Sequence, residues 1–226
     1  MSKKPLKYLC FSIFIIFLAC APKPVIAPPP LYEGWEPTID EVIAKAGDDI
    51  EVIKAIADIK IEKNNRPYSS VSASVLIKRP GQVHMRMYQL GILVRDFVIK
   101  DETLYVLTGQ NDNKLKRLGR QLYNAIIWWD GYGSGVMHRK GEEYIIRTED
   151  KEIHIDSATL LPVEQEIKTL NTNIRLIYEN PVDNEGFWYP ALIKIFVDDF
   201  TFTVKLKRLL KNPALGEFDF QIPARS

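Results

Sequence analysis

Three neighbouring pieces of the chain decide how the rest is read: Asp58-Ile-Lys-Ile-Glu62, Ser69-Ser-Val-Ser-Ala-Ser-Val-Leu-Ile-Lys78 and Val83-His-Met-Arg-Met-Tyr88. In the second piece Val71, Ala73, Val75 and Ile77 share one side, while Ser70, Ser72, Ser74 and Lys78 take the other. In the third, Val83, Met85 and Met87 oppose His84, Arg86 and Tyr88. Successive side chains leave a pleated strand on opposite faces, so this alternation marks half-buried antiparallel strands. Between the two lies Arg79-Pro80-Gly81-Gln82, where proline presets φ and glycine supplies the positive φ of a type II turn. The pair is therefore a hairpin. A meander with one apolar face lies near the start of the domain, and something must cover that face.

Upstream, Lys3, Lys4 and Lys7 precede an uncharged apolar run from Leu9 to Ala19. The run is shorter than the ~20 residues a membrane span needs, so it reads as the core of a signal peptide. Phe17-Leu18-Ala19-Cys20 resembles a bacterial lipobox. It matches at Ala19-Cys20 and departs from the commonest pattern at Phe17 and Leu18; an ordinary secretory signal is the alternative. The resemblance implies that residues 1–19 form a lipoprotein signal peptide and that Cys20 is the site of lipid attachment. Two or more acyl chains would make a stable anchor, each buried methylene contributing ~0.8 kcal/mol. Cys10 leaves with the leader, so no mature thiol is available for a disulfide and stability rests on burial. Residues 20–37 are proline-rich and read as an extended, semi-rigid tether, leaving 38–226 as a single domain. Ala21 in place of aspartate after the cysteine favours the outer membrane. The formal charge of +1 falls further when three lysines leave with the leader, which argues against a nucleic-acid partner.

Thr38-Ile-Asp-Glu41 has the form of a capping box, followed by Ile39, Val42, Ile43 and Ala46 at helical spacing and a stop at Gly47. Asp48 or Asp49 can cap a second helix carrying Ile50, Ile53, Ile56 and Ala57. After Met87 the run Gln89-Leu90-Gly91-Ile92-Leu93-Val94 places apolar residues where a polar turn is usual. Either Leu90, Ile92 and Leu93 form a projecting apolar loop that meets a membrane or partner, or Leu90-Gly91 is the turn and the next strand starts at once. A third helix is marked by Leu115, Leu118, Leu122, Ile126 and Trp129, with Asp112 or Asn113 as cap and Lys114, Lys116, Arg117 and Arg120 on its polar side. Such a basic amphipathic helix can rest on lipid; more often it packs on a sheet. Gly131-Tyr-Gly-Ser-Gly135 follows a helix and precedes a strand, so it reads as a flexible connection rather than a phosphate cradle.

With five strands before this helix and six after it, the chain predicts about eleven strands in mostly sequential antiparallel order. So wide a sheet curls. The fold class is α+β, mainly β: a curled antiparallel sheet, an unclosed barrel, with a few helices over its concave face. Three short helices cover part of that face, and the remainder is an apolar cavity suited to apolar ligands. Val71, Ala73, Val75, Val83, Met85 and Met87 are its predicted wall, with Leu122 and Ile126 from the helix; methionine adapts to chains of variable shape. No catalytic set, metal site or cofactor is expected. His84, His138 and His154 lack ligand spacing, Asp198 and Asp199 sit in a turn, and Ser134 has no nucleophile-elbow context.

Ser74-Val-Leu-Ile-Lys-Arg-Pro-Gly81 leading into Val83-His-Met-Arg-Met, then Asp156 with Leu161-Pro162, Trp188-Tyr-Pro190 and Phe218-Asp-Phe-Gln-Ile-Pro223, resembles the LolA and LolB lipoprotein-carrier family. The lipobox makes the chain more similar to the anchored LolB type. The resemblance implies an eleven-stranded unclosed barrel with a helical lid, a cavity for acyl chains and no enzymatic activity. It implies an outer-membrane lipoprotein facing the periplasm, with lipid or acylated lipoprotein as cargo, a periplasmic carrier as partner, and a monomeric state. Leu90 falls where the family's projecting apolar residue stands. The other reading is an envelope scaffold lipoprotein that binds a partner protein, its cavity filled by side chains.

Overall fold

Thr38 starts the first helix in the way its neighbours dictate. In the computed structural model, which describes residues 28–110, 113–169 and 172–222, the Glu41 N–H donates to Thr38 Oγ1 at 3.2 Å and the Thr38 N–H donates to Glu41 Oε2 at 2.7 Å. This capping box opens α1 (Ile39–Ala46), and Gly47 at φ +115° closes it in the left-handed conformation that glycine adopts without a Cβ clash. The leader, Cys20 and the candidate cap Asp112 lie outside the described residues.

The second predicted helix does not form. Ile50 sits in the turn after α1, and Ile53, Ile56 and Ala57 belong to β1 (Val52–Lys63). The same stretch also alternates: Ile53, Ala55, Ala57 and Ile59 are buried, while Lys54, Ile56 and Lys60 are exposed. The strand wins because it is paired along both edges, with β2 (Arg66–Lys78) on one side and β12 (Phe200–Lys211) on the other. Local spacing is a weak preference beside two ladders of backbone hydrogen bonds.

The remaining strands are β3 (Gln82–Gln89), β4 (Ile92–Lys100), β5 (Thr103–Thr108), β6 (Val136–Lys140), β7 (Glu143–Arg147), β8 (Lys151–Asp156), β9 (Pro162–Lys168), β10 (Asn173–Asn184) and β11 (Phe187–Val197). All twelve form one antiparallel sheet in the order β5-β4-β3-β2-β1-β12-β11-β10-β9-β8-β7-β6. The sheet is built from hairpins except at its centre, where β1 meets β12. It stays unclosed because β5 and β6 are its two edges and are not paired with each other. The count exceeds the eleven expected by one. The extra strand is β6, a short edge strand whose residues are mostly exposed, so it carries little alternation to read. The predicted turn at Pro80-Gly81 is present, with Gly81 at φ +65° and a cis Arg79–Pro80 peptide.

Helix α2 (Asn113–Ile126) links the two edge strands β5 and β6 in sequence and packs on β3 and β4. Leu115, Leu118, Leu122, Ile126 and the following Trp129 are all buried, so its apolar stripe is spent on the sheet rather than on a lipid surface. Gly119 sets how close it comes. A Cβ there would lie 2.6 Å from Ile99 Cδ1 and 3.2 Å from Phe97 Cε2. The glycine-rich connection after the helix is anchored rather than free. Tyr132 is fully buried, and Gln165 Nε2 donates to its hydroxyl at 3.0 Å while the Tyr178 hydroxyl donates to Gln165 Oε1 at 2.9 Å. Burial pushes the Tyr132 and Tyr178 hydroxyls above their ordinary pKa, so this bridge stays neutral and intact at physiological pH.

Candidate functional site

The β3–β4 hairpin turns on Leu90 and Gly91, whose φ values of +51° and +79° are those of a type I′ turn. Asparagine is favoured at the first of these positions because it tolerates the left-handed region; leucine there costs about 1–2 kcal/mol. The Leu90 side chain is 98% exposed, so packing does not offset that cost. Ile92 is 68% exposed and Leu93 is partly exposed just beyond it. The turn is Leu90-Gly91 and β4 begins at Ile92, the second of the two sequence readings, and the tip presents an apolar cluster to solvent.

Beneath this hairpin lies a cavity of about 350 Å³. It is enclosed by the end of β3 (Met87, Gln89), the start of β4 (Val94, Arg95), the start of β2 (Tyr68, Ser69, Val71), Ile61 of β1, Phe200 and Phe202 of β12, and Leu115 and Leu118 of α2. Its size falls within the ~300–1,000 Å³ of sites that take small molecules. Alternation places Phe200 and Phe202 on one face of β12, with ring centroids 6.0 Å apart, and Tyr68 meets Phe200 edge-on at 6.2 Å. Arg95 is the cation of this cavity. Its Nη1 donates to the Val94 carbonyl at 2.8 Å, and among the described residues it makes no ion pair. Gly109, at φ +95°, leaves room for it; a Cβ there would lie 2.7 Å from Arg95 Cδ.

Of the predicted wall, Val71 and Met87 line this cavity. Ala73, Val75 and Met85 on the concave face and Leu122 and Ile126 on α2 sit in close-packed core, and Val83, though buried, borders a separate pocket of about 340 Å³ beside Tyr123 and Asp130. The structure thus gathers all eight in one core, and the space that Val71 and Met87 border lies at the end nearest Leu90. Tyr68, Arg95, Phe200 and Phe202 were not singled out from sequence. The Phe200-Thr-Phe-Thr alternation was a signal for a shared face, but which face it joins depends on β12 pairing with β1.

Electrostatic order elsewhere is peripheral to this cavity. His84 is buried on the other face of β3, with Nε2 2.8 Å from Asp96 Oδ1 and the tilted Phe220 ring 6.2 Å from its own. His154 lies between Glu143 at 2.7 Å and Glu152 at 3.2 Å. Among the described residues no three His, Cys, Asp or Glu side chains are placed to hold a metal ion. Also among them, no helix is long and apolar enough to cross a membrane. Pro29 lies in a groove with Pro162, Pro181 and Pro190, and the Tyr32 N–H donates to the Ala158 carbonyl at 2.6 Å, which fixes where the chain enters the fold.

No family model and no curated protein matches the sequence. Solved structures do match the fold. A LolA superfamily protein from Nitrosomonas europaea superposes with a TM-score of 0.58 at 13% identity, over 82% of this chain and 98% of that one. A Vibrio parahaemolyticus domain named for outer membrane lipoprotein sorting gives a TM-score of 0.51 at 10% identity, over 81% of this chain and 97% of that one. Both are matched over nearly their whole length, so the similarity is to the complete architecture of sheet and packed helix. This chain has a LolA/LolB-like fold.

Proposed function

We propose that this chain is a non-enzymatic envelope carrier or acceptor that holds the acyl chains of lipid or lipoprotein cargo. In this reading residues 1–19 are removed as a signal peptide and Cys20 is acylated. Residues 20–37, docked on the domain at Pro29 and Tyr32, link it to the outer membrane, facing the periplasm. The domain works as a monomer without a cofactor and receives cargo from a periplasmic carrier. The observation that supports it best is the apolar cavity of about 350 Å³ opening beside the 98% exposed Leu90. A space that takes an acyl chain and an apolar tip that can enter a bilayer are the two parts a transfer device needs. The names of the two structural relatives point the same way.

Native mass spectrometry of the full-length protein, released from membranes in mild detergent, tests this. Retained lipid or acylated peptide, displaced by excess detergent, is the expected result; a protein of bare mass with no detergent-competed adduct refutes it. One observation favours the scaffold reading instead. Most of the predicted wall is filled by side chains, Met85 and Leu122 among the fully buried ones. A single protein partner captured reproducibly, with no lipid, would decide for that reading.

A further inference from the structure

A second, larger space lies against α2. It is a cleft of about 800 Å³ between the helix and the β7–β8 and β9–β10 turns, with Ile167, Ile174 and Val197 as its floor. Lys116, Arg117, Arg120, Lys151 and Lys168 line it, against Glu149 and Asp150 as its carboxylates. Much of this charge is already engaged. Arg117 donates to Asp198 Oδ2 at 2.7 Å, Arg120 makes a two-bond pair with Glu102, and Lys151 reaches the Asp130 carbonyl at 3.3 Å. Lys116 and Lys168 make no ion pair among the described residues. Two lysines without an ion pair at the rim of a cleft with an apolar floor suit a ligand that is itself anionic at one end and apolar at the other.

The cleft is joined to the apolar cavity by shared walls. A smaller pocket bounded by Lys63, Asp199 and the Arg117–Asp198 pair stands between them. It shares Phe200 and Phe202 with the cavity, and Arg117 and Val197 with the cleft. Three spaces therefore follow one another past the N-terminal half of α2, apolar at the Leu90 end and basic at the other.

Resting on the carrier reading above, we infer that the cargo is an anionic amphiphile whose acyl chain lies in the Tyr68–Phe202 cavity and whose phosphate headgroup is held by Lys116 and Lys168 in the cleft. The charge there is a selectivity device. A zwitterionic lipid carries the same chain but brings its own cation into the basic cleft, so it gains less.

The test uses the full-length protein in non-ionic detergent and two photoactivatable probes with the same diazirine acyl chain, lysophosphatidylglycerol and lysophosphatidylcholine. Cross-linking should half-saturate with the anionic probe at about tenfold lower concentration, the equivalent of two partly screened charge contacts. The double variant Lys116→Gln/Lys168→Gln should lose that preference while its capture of the zwitterionic probe is unchanged. Equal half-saturation in the parent protein overturns the inference. So does a preference that survives the double variant, or one that is lost in Arg95→Gln instead, which would put the headgroup at the cavity mouth. Inorganic phosphate is the third arm: if it displaces the anionic probe at equal concentration, the cleft is a free-anion site and no amphiphile is needed. Failure of both probes to cross-link has a different meaning, since it removes the carrier reading itself.

Discussion

Leu90→Asn should make the protein more stable and less able to transfer cargo. Leu90 sits at φ +51° with its side chain 98% exposed, so the native residue carries backbone strain without burial in return. Leucine in the left-handed region costs about 1–2 kcal/mol, and Asn-Gly is the favoured pair for a two-residue type I′ turn. Most of that strain is relieved by the substitution, giving a gain of about 1 kcal/mol, or about 2–4 °C in Tm for a chain of this size. Nothing in the fold loses a contact, because the side chain makes none that buries it. Stability would be read from thermal and urea unfolding, and transfer from the movement of a fluorescent acylated peptide into phosphatidylglycerol vesicles. The expected pair of outcomes is a higher Tm with transfer reduced at least severalfold, the pattern of a residue kept for activity at the expense of stability. A lower Tm would show that the turn argument is wrong. A higher Tm with undiminished transfer would remove the hairpin tip from the mechanism.

Gly119→Leu should destabilise by about 1–3 kcal/mol through overpacking, since even a Cβ would stand 2.6 Å from Ile99 Cδ1. Gly119→Ala should be near neutral, because its helix propensity gain of about 1 kcal/mol offsets a contact with the movable end of Ile99; urea midpoints for the pair check the contrast, and equal midpoints would refute the close approach. Gln165→Leu should cost about 2–4 kcal/mol, because it orphans the buried hydroxyls of Tyr132 and Tyr178, and a loss below about 0.5 kcal/mol in urea unfolding would count against the bridge. Acid should weaken the fold. The Asp58 carboxyl is held below its ordinary value by the Lys207 ammonium and the Ser72 hydroxyl, and Glu164 is held down by Arg175. A depressed carboxylate pKa contributes stability that is fully present above the unfolded values of 3.8 and 4.5 and is lost as pH falls through the folded ones. Urea midpoints should therefore be flat from neutral pH to about pH 5 and fall below about pH 4, and Asp58→Asn should flatten part of that fall. An unchanged acid limb in that variant would refute the assignment.

Local rules account for the elements that are legible in the sequence. The alternation of Val71 to Ile77 and of Val83 to Met87 marks two strands because period two leaves no other way to bury one face. The Thr38/Glu41 box and the Leu115 to Trp129 spacing mark two helices for the same kind of reason: caps and helical faces are short-range geometry. The unclosed, one-sided sheet follows from counting such strands. Three things needed the tertiary structure. The stretch from Ile50 to Ala57 fits both periods, and its pairing with β2 on one side and with β12, far along the chain, on the other chose the strand. Gly119 looks like a weak helix position until Ile99 and Phe97 are seen beneath it. The open space does not follow from which residues are apolar, since Met85 and Leu122 are as apolar as Met87 and Leu118. The space lies beside Leu115 and Leu118 at the start of α2, at the end of the face lined by Phe200 and Phe202. Sequence determined which surfaces must be buried; only the packing of α2 on the twelve-stranded sheet decided where burial stops short.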